Sequence, residues 1–187
     1  SVANNALLAS QAENESWDFW YFETNSTVQN TEEWYNIYLA KYWKTVKTKT
    51  IKDGFVAAYF PDGSLCVVKS GIDYFYYPDA KKFNEATFAT QRMKRYGKDI
   101  FVFGFRPQLK DNKQSYRKGI QPYLASKSAT DEDGNLTWPG GYDYTLEELY
   151  NDPAYGCKEG SPGGAAYCTQ VIFQNGWKIP EDYPFKF

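Results

Sequence analysis

The 187-residue sequence predicts an α+β fold from three features. Segments with helical spacing or helix-favouring composition open and close it, and β-rich runs between Asp53 and Phe105 are separated by Gly and Pro turns. Near the end, Cys157 and Cys168 bracket a glycine-rich loop. The length suits one domain, residues 1–187, with sizeable loops. Aromatic residues make up 19% of the chain while the mean hydropathy is -0.66, so the apolar content sits in large rings. Such rings favour strands and adhesive surfaces over a Leu-rich helical core.

Residues 1–15 are Ala-rich and helix-favouring, with a weak stripe at Ala3, Ala6, Leu7 and Ser10 and no N-cap, and they read as the C-terminal half of a longer helix. A second helix follows, capped by Asn30 or Thr31, with Glu32 and Glu33 in its first turn and Trp34, Ile37, Tyr38 and Tyr42 at helical spacing. Lys41, Lys44, Lys47 and Lys49 read as its solvated end.

Residues 54–105 form a β-meander of about four strands. Gly54–Phe60 and Ser64–Val68 flank Pro61-Asp62-Gly63 as a hairpin, Ser70-Gly71 turns into Ile72–Tyr77, and Lys98–Phe105 is a fourth strand after a short helix between Asn84 and Tyr96. Gln108–Tyr144 is polar and punctuated by Gly and Pro, predicting long loops with one β-excursion.

Residues 145–187 form the C-terminal disulfide region. Thr145-Leu146-Glu147-Glu148 is a capping box for a short helix that Asn151-Asp152-Pro153 stops. Ala165–Gln174 is a helix with Ala165, Cys168, Val171 and Ile172 on one face, ended by Asn175-Gly176, and Trp177–Phe187, twice broken by proline, is an extended strap over the core. Ten residues separate Cys157 from Cys168, whereas Cys66 lies in an apolar strand, which reads as one crosslink and one buried thiol. Three reduced core cysteines is the alternative; the crosslink implies export.

The chain contains no histidine, which excludes Ser-His-Asp and Cys-His catalysis and any His-ligated metal. A formal net charge of -2 gives no basic face for nucleic acid. No stretch has the length of a membrane span or the pattern of a signal peptide. Gly160-Ser161-Pro162-Gly163-Gly164 lacks the Lys-Ser/Thr of a phosphate-binding loop and reads as slack within the cysteine loop. Glu32/Glu33 and Glu147/Glu148 sit in first helical turns, where negative charge is favourable without catalysis. Asp131-Glu132-Asp133-Gly134-Asn135 lacks the spacing of a calcium loop and reads as an Asp-Gly turn. No catalytic, cofactor-binding or metal-binding residue is therefore expected. Loop aromatics Trp138, Tyr142 and Tyr144 are the candidate surface contacts.

Tyr155-Gly156-Cys157, the Gly-rich loop, Tyr167-Cys168-Thr169 and Asn175-Gly176-Trp177-Lys178-Ile179-Pro180-Glu181-Asp182-Tyr183-Pro184 together resemble the end of bacterial prepilin-type proteins, the type IV pilin and type II secretion pseudopilin-like subunits. Trp34–Trp43 and Gly97–Phe103 are similar to their middle. The resemblance implies a pilin-like layout in which an N-terminal helix packs on an antiparallel sheet and a disulfide, here Cys157 to Cys168, staples the C-terminal region. It further implies an extracytoplasmic structural subunit at the bacterial surface or periplasm. Such a subunit is held in the inner membrane by a hydrophobic half-helix before assembly, then packs with copies of itself and other pilin-like subunits. The family's processing site and apolar half-helix are absent from these residues. The other reading is an extracellular carbohydrate-binding or adhesin module, with a glycan bound through Trp138 and Tyr142.

Overall fold

The computed structural model describes residues 28–69, 73–104, 120–123, 129–130, 133, 136–137 and 144–186. The expectation for residues 1–15 lies outside them.

Helix α1 spans Val28–Tyr38. It begins earlier than its sequence caps suggest, so Asn30 and Thr31 lie inside its first turn and Thr31 is buried. Its inward stripe is Thr31, Trp34, Tyr35 and Leu39, with Ile37 turned out to 47% exposure. That stripe follows the three- and four-residue spacing of an amphipathic helix, one step offset from the Trp34–Ile37 pattern read in the sequence.

Six antiparallel strands form one sheet in simple chain order: β1 Lys47–Thr50, β2 Val56–Tyr59, β3 Leu65–Lys69, β4 Asp73–Tyr77, β5 Phe101–Gly104 and β6 Gln121–Pro122. The turn at Pro61-Asp62-Gly63 joins β2 to β3 as expected; Gly63 adopts φ 85, and the Asp62 carboxylate accepts from Ser64 N and Oγ. The two strands beyond the expected four lie at the edges. β1 is exposed at every position and alternates Lys with Thr, so no apolar periodicity marks it. Exposed lysines on an edge strand oppose pairing with another chain, and those at 47 and 49 belong to this strand rather than to a helix end. β6 contains Pro122 and is the last strand of the sheet among the described residues, a position where a missing N–H is tolerated. A separate two-stranded pairing, β7 Ala129–Thr130 with β8 Leu136–Thr137, is the β-excursion expected in the loop region.

Register places Val56, Val68, Tyr74 and Phe103 in one cross-strand row, and Ala57, Val67, Phe75 and Val102 in a row on the opposite face. Both faces are covered, which is why β2 and β3 read as continuous apolar runs rather than strict alternation. Trp34, Tyr35, Leu39 and Trp43 pack on the first row together with Cys66. On the other face, Ile51, Phe55, Tyr96, Ile100 and Phe88 of α2 (Glu85–Gln91) form the second core, rich in edge-to-face rings such as Phe55–Phe88 and Phe75–Phe88. A 3-10 turn, Arg92–Arg95, continues α2.

The C-terminal region is a third cluster built from α3 (Leu146–Asn151) and α4 (Cys168–Gln174). α3 carries the complete capping box: Thr145 Oγ1 accepts from Glu148 N, and Glu148 Oε2 accepts from Thr145 N at 2.8 Å. α4 starts at Cys168, three residues later than the sequence reading, because Gly164 at φ 73 and the following turn occupy the space of its first coil. Thr169 Oγ1 of α4 accepts from Val102 N at 2.9 Å, a buried link between the region and β5.

Gln170, also on α4, is fully buried, and neither end of its amide finds a hydrogen-bond partner. An orphaned buried amide costs about 1–3 kcal/mol of desolvation. Gln170→Met, similar in length and free of the amide, should therefore raise the urea-unfolding free energy by about 1 kcal/mol; a loss of stability would mean the amide is satisfied by a bound water.

Candidate functional site

Cys157 and Cys168 are bonded, with Cα atoms 4.6 Å apart, while Cys66 is free and buried. Burial pushes the Cys66 thiol far above its ordinary value, so it is held protonated within the core. The cysteine loop is also held by its own hydrogen bonds, which the glycine-rich sequence did not suggest. Ser161 Oγ donates to Gly156 O at 2.7 Å, Gly163 N to Ala154 O at 2.7 Å, and Cys157 N to Leu149 O at 2.8 Å. Asp152 accepts from Ala154 N and Tyr155 N, closing a turn after α3.

This corner is fixed against the body of the molecule at two glycines. Gly97, at φ 78, lies so close to the bridge that a Cβ there would stand 2.6 Å from Cys168 Sγ and 2.9 Å from the Phe185 ring. A Cβ on Gly164, at φ 73, would run into the carbonyl of Met93. Tyr183 of the C-terminal strap donates its hydroxyl to Gly97 O at 2.6 Å, and Tyr183 and Phe185 pack on the third cluster. The strap is thus anchored at its far end. Its start is outward: Trp177 is 57% exposed and Ile179 51%. Trp177 sits at φ 63, unusual for a bulky residue, and stacks on Phe103 with centroids 6.3 Å apart.

Between the 93–98 turn and the cysteine loop lies a groove of about 450 Å³, open to solvent. Lys94 and Lys98 of that turn line it together with Lys158, Glu159 and Pro162 of the cysteine loop and Phe185 of the strap. The three lysines are exposed. Lys158 Nζ donates to Asn151 O at 3.2 Å, which tethers it to the end of α3. Arg95, in the same turn as Lys94 and Lys98, pairs instead with Asp99 at 2.8 Å. Sequence reading missed this site because its walls come from segments about sixty residues apart; the only local signal is the four-residue spacing of Lys94 and Lys98.

Of the residues singled out from sequence, Trp138 and Tyr142 lie outside the described residues. Tyr144 is half-buried, its ring 5.6 Å from that of Tyr167 and its carbonyl accepting from Gln174 Nε2 at 3.0 Å, so it packs on the stapled corner. Glu32, Glu33 and Glu147 are exposed, the first two on α1 and the third on α3. Among the described residues no group of three Cys, Asp or Glu side chains is placed to hold a metal ion, and no helix is long and apolar enough to cross a membrane.

Buried phenols give the molecule an alkaline limit. Burial raises Tyr35 and Tyr150 to about 12, and Tyr77, Tyr96, Tyr167 and Tyr183 further. In the unfolded chain these groups lose their protons near pH 10, so above it the unfolded state binds fewer protons than the native state and stability falls. Below that pH they leave stability unchanged. Each of Tyr35, Tyr77, Tyr96 and Tyr167, all under 10% exposed, removes up to about 1.4 kcal/mol per pH unit from pH 10 upward. Melting should be flat near pH 8–9 and collapse steeply by pH 11–12, with phenolate absorbance of these rings appearing only on unfolding. A gradual phenolate rise in the folded state would contradict the burial.

These elements define a class: an α+β fold with a six-stranded antiparallel meander covered on both faces and a C-terminal region closed by one disulfide. The chain belongs to a family of unknown function, DUF6613, whose model matches residues 1–187. No curated protein and no solved structure matches it.

Proposed function

We propose that the chain is the head of a pilin-like or pseudopilin-like structural subunit of an extracytoplasmic filament, assembling non-covalently and without catalysis. The observation that carries this reading is the Cys157–Cys168 bond, which closes the C-terminal region and favours an oxidising compartment. The order of elements agrees with the resemblance in Tyr155–Cys157, Tyr167–Thr169 and Asn175–Pro184: a meander sheet first, then the covalently stapled end lying on its far strands. The finer expectation, an N-terminal helix packed on the sheet in the pilin manner, is part of the same proposal. In it, an apolar half-helix holds the subunit in the inner membrane before assembly and supplies assembly energy by burial among neighbouring copies, while the head supplies surface contacts.

The test is cell fractionation of the source bacterium with antibodies to the head. A membrane-held precursor together with head-labelled filaments in the sheared surface fraction is the expected result. A freely secreted monomer, released after cleavage of an ordinary signal peptide, would overturn the filament reading and favour the carbohydrate-binding module.

A further inference from the structure

We propose that the lysine-rimmed groove beside the disulfide binds an acidic polysaccharide, with sugar carboxylates meeting Lys94, Lys98 and Lys158. The charge argument is local. The chain as a whole carries -2, yet the groove sets three ammonium groups against the single carboxylate of Glu159. Arg95, the other cation of the same turn, is by contrast neutralised by Asp99. Lys94 and Lys98 carry no such pair among the described residues, so their field is directed at solvent.

The walls are held in place before any ligand arrives. The disulfide, the close approach at Gly97 and Gly164 and the Tyr183–Gly97 hydrogen bond fix the two sides against each other, so little ordering is needed on binding. Among the same lining residues, the half-buried Phe185 and the exposed Pro162 give an apolar surface suited to the C–H face of a pyranose. A volume of about 450 Å³ lies within the range of small-ligand sites. The walls are turns and a loop, offering neither a strand edge nor a long apolar trough, the two common ways of holding a peptide backbone. A uronate polymer fits this combination better than an acidic peptide. The inference stands apart from the filament reading, since it needs only the isolated chain.

The experiment is calorimetric titration of the 187-residue chain at low salt with oligogalacturonate of about ten sugars, a neutral maltodextrin of equal length and a polyglutamate peptide of equal charge. Saturable oligogalacturonate binding that weakens with added salt is expected, with none to maltodextrin and at least tenfold weaker binding to polyglutamate. Lys94→Glu/Lys98→Glu should weaken the oligogalacturonate at least tenfold, Lys94→Arg/Lys98→Arg should retain it, and the exposed pair Lys81→Glu/Lys82→Glu, equal in net charge change, should leave it within twofold. Absence of binding, equal binding of polyglutamate, or equal losses in the two Glu pairs would each overturn the assignment.

Discussion

A Cys157→Ala/Cys168→Ala variant should unfold in urea with about 3 kcal/mol less free energy than the disulfide-bonded chain, a drop in melting temperature of roughly 6–12 °C for a domain of this size. The bond spans a sequence separation of 11, and a closed loop of that length removes about 3 kcal/mol of unfolded-state entropy. Both cysteines are fully buried in the third cluster, so truncation also leaves small voids beside Leu149 and Val171. In the native state the loop's hydrogen bonds, from Ser161 Oγ to Gly156 O and Gly163 N to Ala154 O, persist without sulfur. The loss should therefore appear chiefly as a lowered midpoint with the native circular dichroism retained at low temperature. A midpoint within a degree of the parent would show that these hydrogen bonds, rather than the covalent tie, hold the C-terminal region. Since both cysteines are fully buried, mild reductant should leave the bridge of the folded protein intact at temperatures below its melting transition.

The elements that sequence made legible are those whose physics is local. The β2–β3 hairpin follows from two apolar runs and a Pro-Asp-Gly turn, α3 from its capping box, and the end of α4 from Asn175-Gly176, where Gly176 adopts φ 68. The edge strands were not legible, because β1 reads Lys-Thr-Lys-Thr and owes its conformation to pairing with β2 rather than to burial. The same lysines look like a helix end when only spacing is counted. The disulfide was legible from two cysteines with ten residues between them, whereas the groove beside it was not: Lys94, Lys98 and Lys158 each look like an ordinary solvated side chain until the fold sets two distant segments face to face. Trp177 is a further case, since nothing in the sequence announces that an aromatic residue after Gly176 will take a left-handed conformation and turn outward.

Gly97→Val should be about as damaging as loss of the bridge, near 3–4 kcal/mol, for two separable reasons. First, φ 78 is unfavourable for any side chain and worse for a β-branched one, a cost of about 1–2 kcal/mol. Second, the new Cβ would stand 2.6 Å from Cys168 Sγ and 2.9 Å from Phe185, so the 93–98 turn must move off the corner, an overpacking cost of about 1–3 kcal/mol. Gly160→Val separates the two contributions, because Gly160 has nearly the same φ, 77, with no atom within 4 Å of the position a Cβ would take, and should lose only the first. The difference between the variants, about 2 kcal/mol in urea unfolding, measures the tightness of the contact with the bridge. In a Cys157→Ala/Cys168→Ala background the sulfur is gone while the Phe185 contact stays, so the Gly97→Val penalty should shrink by about 1 kcal/mol. Equal losses at positions 97 and 160, or a penalty at 97 indifferent to the sulfur, would mean that the turn does not rest on the disulfide and that the groove wall carrying Lys94 and Lys98 is held by its other contacts, the strap and the Gly164–Met93 approach.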